Sequence, residues 1–246
     1  MTDTPADDLT ASFRSDVTVE LVKHTASDAD VLFAARVSTL GEQSLEELEK
    51  EPGRSKGLIN YLMRDRHGSP FEHNSMTFFV SAPIFVMREF MRHRVGWSYN
   101  EESGRYRQLE PVFYVPGADR KLVQQGRPGK YEFVDGTAEQ QETVTRTMTE
   151  AYQEAYRAYQ EMLAAGVARE VARAVLPVGL FSSMYATCNA RSLMHFLGLR
   201  TKHELARVPS FPQREIEMVA EQMEQSWAKL MPLTYEAFNT NGRVAP

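Results

Sequence analysis

An α+β fold is the expectation for this chain: strand-like segments cluster early, helical periodicity dominates the second half, and no internal repeat interrupts the order. Val17–Leu21 alternates apolar and polar side chains with the two-residue period of a half-buried strand. From Ala138 onward, by contrast, apolar side chains recur every three or four positions, the period of an amphipathic helix.

Element by element, Asp3, Pro5, Asp7 and Asp8 mark residues 1–15 as a flexible tail, followed by a single domain over 16–246 with order beginning near Asp16. After the strand at Val17, Ser27 can cap a helix through Val31, Ala34, Ala35 and Val37. Leu58, Ile59, Leu62 and Met63 predict a helix over Ser55–Arg66, ended by Gly68 and Pro70. Met76–Ser81 is rich in Phe, Thr and Val and reads as a strand, and Pro83 suits the first turn of a helix from Ile84 to about Arg94. Gly96–Tyr114 lacks periodicity and reads as an extended loop, as does the glycine-containing stretch Gln124–Gly129.

Tyr152, Tyr156, Tyr159 and Leu163 trace one helical stripe that Gly166 can cap. Arg169–Leu176 is a short helix stopped by Pro177, and Ser182–Leu199 reads as another, with Met184, Cys188 and Phe196 among its apolar positions. The last long helix runs from about Gln213 to Leu230, with Ile216, Val219, Met223, Trp227 and Leu230 on one face.

Composition limits what such a fold can do. With 246 residues, 42% hydrophobic and 25% charged, the chain has the make-up of an ordinary globular protein. Its longest apolar stretches fall far short of the roughly 18 residues of a membrane span. The N-terminus lacks the basic and apolar regions of a secretory signal, so a cytoplasmic location is expected. The single cysteine, Cys188, excludes an intramolecular disulfide framework. A net charge of -5 argues against affinity built on broad neutralisation of a nucleic-acid backbone, so any bound anion needs a local basic cluster.

Such a cluster exists. Arg88, Arg92, Arg94, Arg105 and Arg107 fall within one short segment, with Arg88 and Arg92 a helical turn apart. Guanidinium forks grip phosphate and pyrophosphate in bidentate fashion, which points to a phosphorylated ligand. Ser98, Asn100, Ser103 and the amides around Gly104 add neutral hydrogen-bonding groups, and Trp97, Tyr99 and Tyr106 can flank a flat ring. The competing reading is a solvated charged helix whose arginines pair with Glu89, Glu101 and Glu102.

A second group, Arg173, Asn189, Arg191, His195 and Arg200, sits in segments that otherwise look buried. Asn189 and Arg200 are eleven residues apart, close to three turns, and so share a helix face. A buried arginine needs a carboxylate or an anionic ligand, and Glu170 and Glu204 are the alternative partners. Cys188, expected in mid-helix beside Met184 and Ser192, reads as a buried structural thiol rather than a nucleophile. The histidines show no tight ligand spacing, so no metal is expected. No glycine-rich Rossmann turn or Walker-type loop is present, so a dinucleotide would be held by side chains and helix ends.

Arg92-His93-Arg94 followed by Ser98-Tyr99-Asn100-Glu101-Glu102-Ser103-Gly104-Arg105-Tyr106 resembles the signature of the flavin-dependent thymidylate synthases. Further stretches are similar to that family in the same order: Ala34–Ser38, His67–His73, Ala82–Val86, Arg169–Arg173 with Leu176-Pro177, and Asn189–Leu193 through Arg200. The likeness spans roughly Val17 to Phe238.

The resemblance implies a mostly antiparallel sheet packed with long helices, in a homotetramer with active sites shared between subunits. It implies methylation of dUMP to dTMP, with methylenetetrahydrofolate as one-carbon donor and NADPH-reduced FAD relaying the methylene and supplying the hydride. By the same resemblance, Ser69, Arg92, His93, Arg94, Glu101, Asn189, Arg191 and His195 contact FAD. The dUMP site would draw on Glu89, Phe90, Met91, Arg92, Glu101, Glu102, Ser103, Gly104, Arg105, Arg173 and Arg200. Arg200 matches the family's catalytic arginine, which favours ionisation at uracil N3. Such electrostatic stabilisation needs no cysteine nucleophile.

Two departures stand out. Eight residues, Val95 to Glu102, separate Arg-His-Arg from Ser103, where the family usually has seven, and His203–Phe211 looks longer than in shorter relatives. Three alternatives stay open at this point: the same chemistry on UMP, a single-stranded nucleic-acid binder using the arginines with Trp97, Tyr99 and Tyr106, and a flavoprotein oxidoreductase without methyl transfer.

Overall fold

In a computed structural model of the chain, which describes residues 10–41, 52–128 and 130–246, the expected cap at Ser27 is a reciprocal one. The Ser27 hydroxyl accepts from the Asp30 amide at 3.3 Å while the Asp30 carboxylate accepts from the Ser27 amide at 2.7 Å, and α1 (Asp28–Leu40) starts there. The helix expected over Ser55–Arg66 is α2 (Pro52–Arg64). Of the tail expected over residues 1–15, residues 1–9 lie outside the described residues.

The described chain divides into two compact units, each assembled from separate stretches of sequence. One comprises residues 10–16, Ala82–Met87 and Glu102–Ser182; the other comprises Val17–Ser81, Arg88–Glu101 and Ser183–Pro246.

In the first unit, β1 (Ser12–Arg14) pairs in parallel with β5 (Val112–Tyr114), so order begins before the expected Asp16. Backbone pairing to a partner some hundred residues away is what a local reading of the tail could not register. The tyrosine stripe is confirmed: α4 (Ala138–Ala164) buries Tyr156 and Tyr159 in a cluster with Phe113, Ala172 and Leu180, against which Tyr152 and Leu163 pack. Of the stretch Gln124–Gly129, expected to be a loop, Gly129 lies outside the described residues, and Gln124, Gln125, Gly126 and Arg127 instead belong to β6 (Val123–Arg127), which forms an antiparallel hairpin with β7 (Lys130–Val134). Gly126 there has a φ of 94° and lies so close to the Lys130 carbonyl that a Cβ would collide with it, so the glycine that suggested a loop serves the hairpin's tight end. Arg169–Leu176 becomes α5 (Arg169–Ala172) and a single tighter 3-10 turn, Arg173–Val175, before Pro177.

The second unit holds most of a four-stranded sheet in the order β2-β3-β8-β4, formed by β2 (Thr18–His24), β3 (Met76–Pro83), β8 (Phe181–Cys188) and β4 (Trp97–Glu101). β2 with β3, and β4 with β8, are antiparallel. The Thr77 and Thr187 hydroxyls meet at 2.9 Å across the two central strands. Helices α6 (Ala190–Arg200) and α7 (Arg214–Leu230) bury Leu193, Phe196, Leu197, Ile216, Val219, Met223 and Trp227. The Gln222 side chain ties α7 to β2 through the Val19 amide and the Val17 carbonyl, both at 3.2 Å.

Three expectations are corrected here. The helix expected over Ser182–Leu199 is two elements: β8 to Cys188, then α6 from Ala190, with Asn189 as N-cap accepting from the Ser192 amide at 2.9 Å. Met184, Ala186 and Cys188 are buried with less buried residues between them, a two-residue period hidden by its fusion to the helical pattern that follows. The helix expected to reach Arg94 stops as α3 (Ile84–Phe90), because the Tyr99 hydroxyl donates to the carbonyls of Phe90 and His93 at 3.1 and 2.8 Å and holds the chain in a turn. The loop expected over Gly96–Tyr114 contains β4 and β5. A further helix, α8 (Pro232–Thr240), starts where the Asp28 carboxylate accepts from the Leu233 and Thr234 amides at 2.8 and 2.9 Å. Among the described residues no helix is long and apolar enough to cross a membrane.

Candidate active site

Arg200 is the last residue of α6, and its side chain turns back onto the end of α3. Its guanidinium forms an ion pair with the Glu89 carboxylate and donates from Nε to His93 Nε2 at 3.1 Å and from Nη2 to the Glu89 carbonyl at 3.5 Å. The Arg200 side chain is 18% exposed and that of Glu89 34%, so the pair sits at a rim rather than in bulk water. His93 is buried against Phe196, ring centroids 4.9 Å apart, and burial, aided by the Arg200 charge and by His195, lowers its pKa to about 4. A neutral His93 can accept the Arg200 hydrogen bond, and the two are mutually consistent.

The start of α6 carries the second arginine. Arg191 pairs with Glu72 at 2.5 Å and donates to the Pro246 carbonyl at 2.7 Å. Glu72 closes the 3-10 turn Ser69–Glu72, and Gly68 before it has its Cα so near the Arg191 guanidinium that a Cβ would stand 2.6 Å from Cζ. Asn74 completes the junction by accepting from the Ala190 amide at 2.8 Å. The structure thus brings Ser69, Asn189 and Arg191 to the start of α6, with His195 at its middle and Arg200 at its end. Arg191 and His195 are one turn apart, and nearby Arg191 and Arg66 help burial to lower the His195 pKa.

Between these ends lies the Arg-His-Arg turn. Arg92 and Arg94 are exposed and, among the described residues, form no ion pair, unlike Arg105, Arg107, Arg191 and Arg200. The extra residue at Val95–Trp97 has a definite place. Gly96 takes a φ of 70°, the Ser192 hydroxyl donates to the Val95 carbonyl at 3.0 Å, and a Cβ on Gly96 would collide with that hydroxyl. Trp97 and Tyr99 are stacked on each other at 5.7 Å and packed on Phe90, with Trp97 also against Phe196. Their rings, expected to flank a ligand, are half-buried and pack on one another and on Phe90, because alternate residues of β4 point to the same face. Phe90 itself is fully buried, whereas Met91 beside it is 40% exposed. Glu101 is exposed at the end of β4.

The remaining candidates belong to the first unit. Arg105 pairs with Glu170 at 2.7 Å, and Arg107 with Glu110 at 3.1 Å and Glu102 at 3.7 Å. Among the described residues Glu170 therefore forms its ion pair with Arg105 and not with the second arginine group. Ser103 accepts from the Arg105 amide at 3.3 Å, which makes it a turn residue rather than a hydroxyl held by a base. Gly104 is packed so closely on Arg173 that a Cβ would stand 3.2 Å from its Cδ, and Arg173 is half-buried. Tyr106 is 78% exposed.

Cys188 ends β8 rather than standing in mid-helix, but its thiol is buried as expected, and burial pushes its pKa up, away from a thiolate. Sequence reasoning assigned no role to Glu72 or Asn74. Their position beside Gly68 and Pro70 was visible, but their partners lie well over a hundred residues away on α6.

Comparisons with known proteins identify the family. The family described as "Thymidylate synthase complementing protein" matches residues 20–233. Over all 246 residues, and the whole of the relative, the chain is 85% identical to the flavin-dependent thymidylate synthase of Streptomyces avermitilis and 80% identical to that of Streptomyces coelicolor. It is 57% identical over 234 residues to that of Tropheryma whipplei, covering 95% of this chain and 97% of the relative. Among solved structures, a UMP/dUMP methylase from Streptomyces cacaoi, bound with 5-Br dUMP, superposes with a TM-score of 0.89 at 59% identity, covering 96% of this chain and 100% of that one. The same methylase bound with 5-Br UMP gives 0.88 at 58%, covering 96% and 99%. The sequence signature, the α+β fold and relatives matched along their whole length converge: this chain belongs to the flavin-dependent thymidylate synthase family.

Proposed function

We propose that this protein is a cytoplasmic methyltransferase that converts dUMP to dTMP, with methylenetetrahydrofolate as the one-carbon donor and FAD reduced by NADPH as the hydride source. Residues 16–246 would act as one catalytic domain, in a homotetramer whose active sites are shared. The observation that carries the reading is Arg200: a guanidinium fixed at a half-buried rim by Glu89 and His93.

A fixed positive charge costs little reorganisation when negative charge develops beside it, so Arg200 is suited to stabilise a uracil ring ionised at N3. That stabilisation raises electron density at C5 and removes the need for a thiolate, in keeping with the buried Cys188. Arg173, half-buried next to Gly104, and Arg105 would hold the dUMP phosphate, with Glu89, Phe90, Met91, Arg92, Glu101, Glu102, Ser103 and Gly104 completing the site.

The donor set also suits FAD. Arg92 and Arg94 present guanidiniums without an acidic partner among the described residues, as a pyrophosphate site requires. Ser69, His93, Glu101, Asn189, Arg191 and His195 would hold the rest of the cofactor. Bound FAD supplies the redox chemistry; the protein's part is to orient it and the pyrimidine. Neutral His93 and His195 keep additional positive charge out of the site at working pH.

The test is spectroscopic and then chemical. The purified protein should show flavin absorption that bleaches with NADPH and dUMP without oxygen, and should yield dTMP when methylenetetrahydrofolate is added. A protein that neither carries nor takes up FAD would overturn the reading, and NADPH oxidation without dTMP would leave an oxidoreductase. A second reading, methylation of UMP, is favoured by the likeness to a methylase described as acting on both nucleotides. Comparing turnover on UMP and dUMP decides between them.

A further inference from the structure

Next to Arg200 the chain buries another arginine that the proposed chemistry does not use. Arg243 is 3% exposed, and its guanidinium is gripped by both carboxylate oxygens of Glu224 at 2.6 and 2.8 Å and by Asn239 Oδ1 at 2.7 Å. It also donates to the Thr201 hydroxyl at 3.0 Å. Thr201 directly follows Arg200 and caps α6, and its hydroxyl donates in turn to the Leu197 carbonyl at 2.7 Å.

The backbone is shaped for this contact. Arg243 has a φ of 54°, in the left-handed region that a residue with a Cβ seldom adopts, and Gly242 before it has a φ of 77°. The Arg243 carbonyl lies 3.1 Å from where a Cβ on Gly198 would stand, so the glycine in α6 lets this turn press against the helix. A buried ion pair is seldom a net gain in stability over apolar packing, and its clearest use is to select one geometry.

We propose that Arg243, clamped by Glu224, is a positioning residue that fixes the C-terminal end of α6 through Thr201 and thereby sets the backbone from which Arg200 reaches its site. Arg200 then has two anchors: its side chain is held from the end of α3 by Glu89 and His93, and its backbone from Arg243. Lysine cannot replace this clamp, because one ammonium cannot span Glu224, Asn239 and Thr201 as a planar fork does. The inference rests on the role given to Arg200 in the proposed reaction.

A double-mutant cycle tests it in the full-length FAD-bound enzyme. Arg243→Lys and, separately, Thr201→Val, which removes the hydroxyl that accepts from Arg243 and donates to Leu197, are each combined with Arg200→Lys. With FAD content and thermal unfolding checked for every variant, each single change should lower kcat for dTMP formation about tenfold, the scale expected for a catalytic group displaced by a fraction of an ångström. In the Arg200→Lys background the same changes should cost less than about twofold, because the group being positioned is already lost. Equal losses in both backgrounds, or full turnover in folded variants, would overturn the proposal. Absence of dTMP from the unmodified protein would instead sink the proposed reaction. An NMR titration then decides the positioning role by itself: loosening Arg200 should move the His93 midpoint upward from about 4, and an unmoved midpoint in Arg243→Lys refutes it.

Discussion

Arg200 Nε donates to His93 Nε2 at 3.1 Å, so His93 must keep that nitrogen unprotonated for the contact to exist. The histidine and the arginine are coupled: a protonated His93 would place a second cation against the first. Burial already disfavours that cation, and the Arg200 charge adds to the effect.

Stability should therefore depend on pH through His93. Its pKa is about 4 in the folded chain against 6.5 as the ordinary value, so between these limits the unfolded chain binds more protons. Stability falls as pH drops through this window and levels off below it, by at most a few kcal/mol at about 1.4 kcal/mol per pKa unit. Denaturant unfolding at pH 7 and pH 5, in the wild type and His93→Gln, measures this. The variant should lose part of the pH dependence, and identical slopes would disprove the coupling.

Replacing Arg200 with Ala should leave FAD absorption intact and lower dTMP turnover by at least about a hundredfold, the scale of losing a preorganised electrostatic group. The variant also strands Glu89 without its ion pair, so its unfolding curve should be recorded alongside. Unchanged turnover would remove Arg200 from the catalytic role.

Gly96→Ala should destabilise the fold by about 1–3 kcal/mol, because it combines a left-handed backbone with a collision against the Ser192 hydroxyl. The Ser192→Ala background should recover only the steric part. Calorimetry on the single and double variants checks both contributions, and a neutral Gly96→Ala would mean that the turn relaxes freely.

Cys188→Ala should retain dTMP synthesis, since the thiol is buried and its pKa is raised. The expected cost is about 1 kcal/mol of stability from a small cavity. Lost synthesis in a folded, FAD-bound variant would point instead to covalent chemistry.

Local signals in the sequence were decisive where both partners lie close together along the chain. The Ser27 and Asp30 cap, the tyrosine stripe of α4, the apolar face of α7 and the proline stop at Pro177 all depend on neighbours within a few turns, and all were legible. The arginine signature was legible for another reason: five guanidiniums in one segment of an acidic chain need anions, whatever the fold.

The tertiary structure decided what depends on distant partners. β1 is a strand because Val112–Tyr114 lies beside it, α8 starts at the carboxylate of Asp28, and Trp97 and Tyr99 stack together because β4 turns both rings onto Phe90. Glu72 for Arg191, Glu89 and His93 for Arg200, and Glu224 for Arg243 are likewise pairings that no local pattern specifies. Side-chain type determines which partners an arginine can accept, but only the folded backbone brings one within hydrogen-bonding reach.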